Sequence, residues 1–178
     1  FLGKAFPEGG YTSYADLLLN AGKRYGVNPF ILASKLINEH GSDGNSGSVS
    51  GKVEGYEGYY NYFNIGAYAH SGRSAIENGL IYAKEHGWDS REKSIMAGTE
   101  FFAKDYIRSN KTTAYFQKFN VMNGASAVAR GQYMTALWGA NSTGVTLGKG
   151  YVSAYSSALT FEIPVYLSMP TLPAPYPR

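Results

Sequence analysis

The residue best placed to do chemistry is a carboxyl group at the end of an apolar helix. Residues Ile31–Gly41 read ILASKLINEHG and follow Asn28-Pro29. Asn is a strong N-cap, Pro suits the first helical position, and Gly41 predicts a left-handed C-terminal cap. Seven residues of helix return to within roughly 20° of the starting direction, so Leu32, Leu36 and Glu39 share one face. Glu39 therefore lies on the stripe that the leucines bury, in the last turn, where the helix dipole is negative. Both surroundings oppose a carboxylate, and the spacing predicts a raised pKa. A carboxyl group that keeps its proton near neutral pH is a general acid. The alternative is a Glu at a frayed helix end, turned to water.

A second feature follows directly. Gly55–Tyr68, GYEGYYNYFNIGAY, packs Tyr56, Tyr59, Tyr60, Tyr62, Phe63 and Tyr68 into one short segment. A strand would bury only alternate residues, which predicts several exposed rings. Rings beside the amides of Asn61 and Asn64 suit a sugar, whose C–H faces stack on aromatics while its hydroxyl and acetamido groups bond amides. The alternative is an aromatic cluster that props the loop. Tyr133, flanked by Gln132 and Thr135, is a further candidate whose hydroxyl could reach a cleft or else find a backbone partner in the core.

Helices must position these groups. Ser13 and Asp16 are spaced as a capping box that opens a helix with Tyr14, Leu17, Leu18 and Ala21 on one face, ending at Gly26. The short Val27-Asn28 link predicts an αα-hairpin with the Glu39 helix. Gly41–Gly58, rich in Gly, Ser, Asn and Asp, predicts a loop. Ser74 and Glu77 open another helix to about His86, and Asp89 and Glu92 open the next, with Ile95, Thr99, Phe102 and Tyr106 inward and Asn110 as its stop. Tyr115–Asn123 reads as irregular. A helix is predicted over about Ser126–Ala140, with Ala129, Tyr133, Leu137 and Ala140 on one face, and a last one over Val152–Leu159 after the Gly-rich Gly144–Gly150. Phe161–Tyr166 is β-like, and residues 161–178, with five of the seven prolines, predict an extended strap. The whole reads as one mainly α domain, 1–178.

Composition narrows the function. With 178 residues, 44% hydrophobic and only 16% charged, the chain can bury a core and is not of disordered type. The net charge of +3 comes from scattered Lys and Arg without a basic stripe, which argues against nucleic acid. No cysteine is present, so disulfides, thiolate metal sites and a Cys nucleophile are excluded. His40, His70 and His86 lack metal-ligand spacing, and neither a nucleophile elbow nor a phosphate or dinucleotide loop occurs, so no cofactor is expected. Asp43-Gly44-Asn45 fails as a calcium loop, since Ser48 holds the glycine position and no closing Glu follows. No apolar run reaches the roughly 20 residues of a membrane span. The chain does not begin with a signal peptide, and a processed fragment is equally consistent. Asn110-Lys111-Thr112 and Asn141-Ser142-Thr143 are sequons with meaning only in a eukaryotic secretory pathway.

Several segments in order resemble one family. YGVNPFILASKLINEHG at Tyr25–Gly41, GYEGYYNYFNIGAY at Gly55–Tyr68, YAKEHGWDSREKSIMAG at Tyr82–Gly98, GQYMT at Gly131–Thr135 and FEIPVY at Phe161–Tyr166 are similar to bacterial endo-β-N-acetylglucosaminidases of glycoside hydrolase family 73. The chain differs at Gly131 and Ala136, where the family often has His and Asn. The resemblance implies a lysozyme-like α-helical domain with a small loop/β lobe flanking a cleft. It implies a secreted enzyme of the bacterial cell wall that cleaves peptidoglycan glycan strands after N-acetylglucosamine, with wall-binding repeats elsewhere in a longer protein. It places the general acid on Glu39, an active-site tyrosine on Tyr133, and Asn61, Phe63 and Ile65 in the cleft wall. Tyr60, Asn64 and Gln132 complete the expected substrate contacts.

A glycosidase usually has a second carboxyl group. Asp43, Glu54 and Glu57 are the candidates, whereas Gly66–Arg73 holds no acid. Alternatively the substrate's own 2-acetamido oxygen attacks, and Tyr133 orients it. Two rival functions share these features: a lytic transglycosylase, which needs one Glu, and a non-catalytic glycan-binding module.

Overall fold

A computed structural model describes residues 1–134, 136–152, 160–169 and 171–172. Its spine is a pair of capped helices, α1 (Tyr14–Tyr25) and α2 (Pro29–His40). The Ser13 side chain accepts the Asp16 N–H, Asn28 accepts the Phe30 N–H with Pro29 at the helix start, and Gly26 turns left-handed to join the two. Gly41 closes α2 at φ 72, ψ 174. This is the extended positive-φ conformation open essentially to glycine rather than the predicted left-handed cap.

The remaining helices are α3 (Gly47–Ser50), α4 (Ala75–Glu85), α5 (Arg91–Asp105), α6 (Ala114–Phe119) and α7 (Gly139–Tyr151). Helix α2 packs between α1 and α7, α1 also rests on α5, and α6 lies against α7. Leu17, Leu18, Ala21, Leu32, Leu36, Ile95 and Phe102 fill the space between them. Each fully buried Leu or Ile contributes about 1.5–3 kcal/mol, enough to fix the helix register. The α4 capping box forms as expected, with Ser74 and Glu77 exchanging bonds. Helix α5 is capped by Ser90 rather than Asp89, which instead pairs with Lys93 one turn on at 2.6 Å. Its inner face is as predicted, and Asn110 follows at φ 58.

Several expectations fail toward the C-terminus. The stretch Tyr115–Asn123 holds α6, capped by the Thr113 side chain on the Phe116 N–H. The helix expected over Ser126–Ala140 is absent: a single 3-10 turn at Ala125–Ala127 gives way to an irregular loop, and the helix starts only at Gly139. Ala129 and Gly131 take φ 58 and 55, which breaks any helix there. Conversely, the Gly-rich stretch Gly144–Gly150, expected to precede the last helix, lies inside α7. The last helix expected at Val152–Leu159 falls largely outside the described residues, as do 173–178 of the strap and Thr135. Phe161–Tyr166 is not a strand but exposed chain. It is tied to Thr112 through Glu162, and the Tyr166 and Tyr115 hydroxyls meet at 2.7 Å.

The lobe between α2 and α4 carries α3 and loop. Among the described residues the only strand-like pairings are the isolated bridges Ala5–Ser13 and His70–Arg73. No helix there is long and apolar enough to cross a membrane.

Candidate active site at the end of helix 2

The aromatic segment is mostly core, contrary to the expected platform. Tyr60, Asn61, Tyr62 and Phe63 are all buried, and Asn61 has no exposed surface. Its backbone is tied to three other parts of the chain: Tyr60 N–H donates to Trp88 O at 3.1 Å, Asn61 N–H to Ser48 O at 2.7 Å, and Tyr62 N–H to Ser94 Oγ at 3.1 Å. The Asn61 side chain donates to Ile65 O and Gly79 O, both at 2.8 Å, and accepts the Ile65 N–H at 3.0 Å. It is a turn-builder, not a sugar contact. Arg91 lies over the Tyr60 ring at 4.4 Å and donates to its hydroxyl at 2.9 Å. Phe63 presses so closely on α5 that a Cβ at Gly98 would stand 2.2 Å from its ring. Tyr60, Asn61 and Phe63, expected as substrate contacts, are thus buried and engaged inside the protein. The exposed ring of the segment is Tyr68, stacked on His70 at 4.7 Å, with Tyr56 and Tyr59 half-buried.

Burying this segment is what places Asn64 beside α2. Asn64 adopts φ 49 and donates from Nδ2 to Glu39 Oε2 at 2.8 Å. Glu39 is half-buried, not turned out from a frayed end. The neighbouring Asn38 is gripped by α7, donating to Thr143 Oγ1 at 3.1 Å and accepting from Thr146 Oγ1 at 2.9 Å. His40 bonds Ser46 at 2.6 Å and Tyr62 O at 2.8 Å, and burial lowers its pKa. A carbonyl on Nε2 requires the N–H there, and because burial opposes a second proton, Nδ1 is left to accept from the Ser46 hydroxyl. The last turn of α2 is thus fixed on both sides of Glu39.

Tyr133 arrives from the irregular loop. Its N–H donates to Gln117 O at 3.1 Å, Gln132 Nε2 donates to Lys118 O at 2.8 Å, and Lys111 Nζ donates to Gly131 O at 2.9 Å. Lys118 Nζ reaches Met134 O at 3.3 Å. Gln132 is half-exposed, and its Nε2 is engaged within the protein by the Lys118 carbonyl. The Tyr133 ring meets Phe102 and Tyr106 edge-on at 5.5 and 5.1 Å. Its hydroxyl is buried and makes no hydrogen bond of good geometry. Burial first, then the nearby Glu39 charge, hold its pKa far above the usual phenol value.

Lys35 was missed by sequence reasoning. It sits one turn before Glu39 on the same stripe, and that i, i+4 spacing was the available signal. Lys35 is almost fully buried, and its Nζ stands 3.7 Å from the Tyr133 ring centroid.

The expected second carboxylates are not gathered here. Asp43, Glu54 and Glu57 are all exposed; Asp43 accepts from Ser42, and Glu57 from the Gly55 N–H in its own turn. Ile65 is half-buried against the core. Among the described residues no three acidic or His side chains could share a metal. A cavity of about 1180 Å³ is lined by Ile31, Tyr115, Phe119, Trp138, Tyr151 and Phe161 among others, but not by Glu39, Asn64 or Tyr133.

The architecture is a mainly α, lysozyme-like one, shared with solved autolysin and glucosaminidase domains. S. aureus autolysin E, solved in complex with the muropeptide NAM-L-Ala-D-iGlu, is 30% identical with a TM-score of 0.63 over 78% of this chain and 59% of that one. A catalytic Glu-to-Ala mutant of the same protein, solved with the disaccharide NAG-NAM, gives 29% and 0.63 over the same shares of the two chains. S. aureus glucosaminidase B is 30% identical, with a TM-score of 0.55 over 76% of this chain and 52% of that one. In sequence, the bifunctional autolysin of Staphylococcus epidermidis is 32% identical over 153 residues, which is 82% of this chain and 11% of that protein. The chain thus spans about a tenth of the length of such curated relatives. No family model matches it.

Proposed function

We propose that this chain is the catalytic domain of a secreted peptidoglycan hydrolase of glycoside hydrolase family 73, cleaving the β-1,4 bond after N-acetylglucosamine in bacterial cell walls. The carrying observation is the meeting of Glu39 with Asn64 at 2.8 Å, beside the buried, unbonded hydroxyl of Tyr133. The names and ligands of the similar proteins support it, including a relative whose catalytic mutant lacks a glutamate. Their greater length supports wall-binding repeats outside this chain.

In this reading Asn64 holds Oε2 as an acceptor, leaving Oε1 to carry the proton. Glu39 gives that proton to the glycosidic oxygen as the C1–O bond breaks. With Asp43, Glu54 and Glu57 exposed and the latter bonded locally, the substrate's 2-acetamido oxygen is the better nucleophile. It bonds C1, oriented by the Tyr133 hydroxyl. Water then attacks C1, gives its proton back to the Glu39 carboxylate, and frees the acetamido group.

The test is digestion of purified peptidoglycan followed by mass spectrometry. Reducing N-acetylglucosamine ends are expected; 1,6-anhydromuramic ends would instead mark a lytic transglycosylase, and wall binding without release a binding module. Glu39→Gln should abolish release in a folded protein, and near-normal turnover would end the assignment. Glu57→Gln should keep most activity; a loss as deep as that of Glu39→Gln would overturn the acetamido route.

A further inference from the structure

We propose that Lys35 is a positioning residue: its ammonium, held dry against the face of the Tyr133 ring, seats that tyrosine beside Glu39. Lys35 is 1% exposed, and its Nζ has no hydrogen-bond partner. What it has is π-density, with the Tyr133 ring centroid at 3.7 Å and that of Phe102 at 5.7 Å. For an ammonium out of water and without a hydrogen-bond acceptor, an aromatic face is a compensating partner, here alongside the attraction of Glu39. The lysine stands on α2, one turn before Glu39, so the contact joins the helix that carries the acid to the loop that carries the tyrosine. The Tyr133 hydroxyl makes no hydrogen bond of good geometry that would by itself hold the ring in place, although it lies near enough to Glu39 to feel that carboxyl group.

The charged and titratable groups around this contact are Glu39 on α2, Asp105 at the end of α5, Tyr106 just after it, and Lys111, whose Nζ lies 4.5 Å from the Tyr106 ring. Burial lowers the Lys35 pKa to about 7, against an opposing pull from Glu39. The ammonium therefore prevails below about pH 7 and the free amine above it, which makes the seat sensitive to pH in the working range.

This inference rests on the hydrolase reading and is tested with the wild type, Lys35→Met and Lys35→Arg on purified peptidoglycan. Lys35→Met removes an unpartnered buried charge and should melt no lower than the wild type near neutral pH, yet lose at least about tenfold in kcat. Lys35→Arg retains a cation that stacks on aromatics and should stay within about threefold. A purely structural lysine would leave kcat unchanged, or lose stability and activity together. In the wild type, the Lys35 Hε signals of lysine-labelled protein should be shifted upfield by the ring at pH 6 and lose that shift by pH 8.5. An active wild type with Lys35→Met within twofold of it, or with both variants equally impaired, overturns the positioning role and leaves the hydrolase reading intact. A wild type that never cleaves peptidoglycan overturns that reading and the lysine's catalytic use with it. Should neither variant fold, the NMR titration decides, and signals still ring-shifted at pH 8.5 overturn the proposal.

Discussion

Replacing Asn64 with glycine isolates the bond that holds Glu39. Asn64 sits at φ 49, a left-handed conformation that costs most residues about 1–2 kcal/mol but glycine almost nothing. Asn64→Gly therefore deletes the 2.8 Å donor to Glu39 without straining the turn. A hydrogen bond to a charged group contributes about 1.5–3 kcal/mol, and if that is lost from the transition state kcat/KM falls about 10- to 150-fold. Stability should barely move. The variant also removes Asn64 Oδ1, a buried acceptor with no partner, which offsets the roughly 0.5–1 kcal/mol of added backbone freedom. For a chain of this size a melting shift within about 4 °C is expected. Asn64→Ala should lose the same rate but add the left-handed penalty, so its melting point drops further. The assay is initial-rate release of reducing ends from peptidoglycan, with circular dichroism melts of each protein. Asn64→Gly at wild-type kcat/KM would show that the contact does not serve the acid.

Gly98→Ala tests whether Phe63 belongs to the core. Ala for Gly inside a helix ordinarily stabilises by about 1 kcal/mol, but here the new Cβ would lie 2.2 Å from the ring, and overpacking of that kind costs about 1–3 kcal/mol. A lower urea midpoint is expected, and a higher one would refute the packing. His40 governs a pH term. Its folded pKa is lowered below the unfolded value near 6.5, so its stabilisation is present above that value and lost as pH falls through the folded pKa. Urea midpoints should drop between pH 7.5 and 5 in the wild type and drop less in His40→Gln; equal slopes would contradict the neutral buried ring.

The helices with tight caps and apolar stripes were legible in the sequence, because Ser13, Asn28, Ser74 and the leucines encode them locally. The region around Tyr133 was not. Its apolar spacing imitates a helix, while the actual path is set by distant partners: Gln117 O, Lys118 O and the Lys111 ammonium, each bonding the 131–133 backbone or side chains. Such non-local bonds leave no periodic trace. The aromatic segment misled for a related reason. A segment whose backbone bonds to Ser48, Trp88 and Ser94 is threaded between elements, not laid on a surface as an alternating strand, so adjacent rings can all be buried. Glycines at 79 and 98 were the overlooked signal, since each is a point where Asn61 or Phe63 meets a helix backbone.

The same contrast explains how the site is built. The apolar faces of α1, α2 and α5 suffice to fold the bundle, and they would pack as well with an apolar residue at position 35. Instead three nearly buried lysines, Lys35, Lys111 and Lys118, converge on the loop that carries Tyr133. Each gives up hydration for a carbonyl or a ring face, a poor exchange for stability. Their effect is to hold an otherwise irregular loop, with one unbonded phenol, against the end of α2. Stability alone does not favour that arrangement; fixing a tyrosine and a carboxyl group relative to each other does.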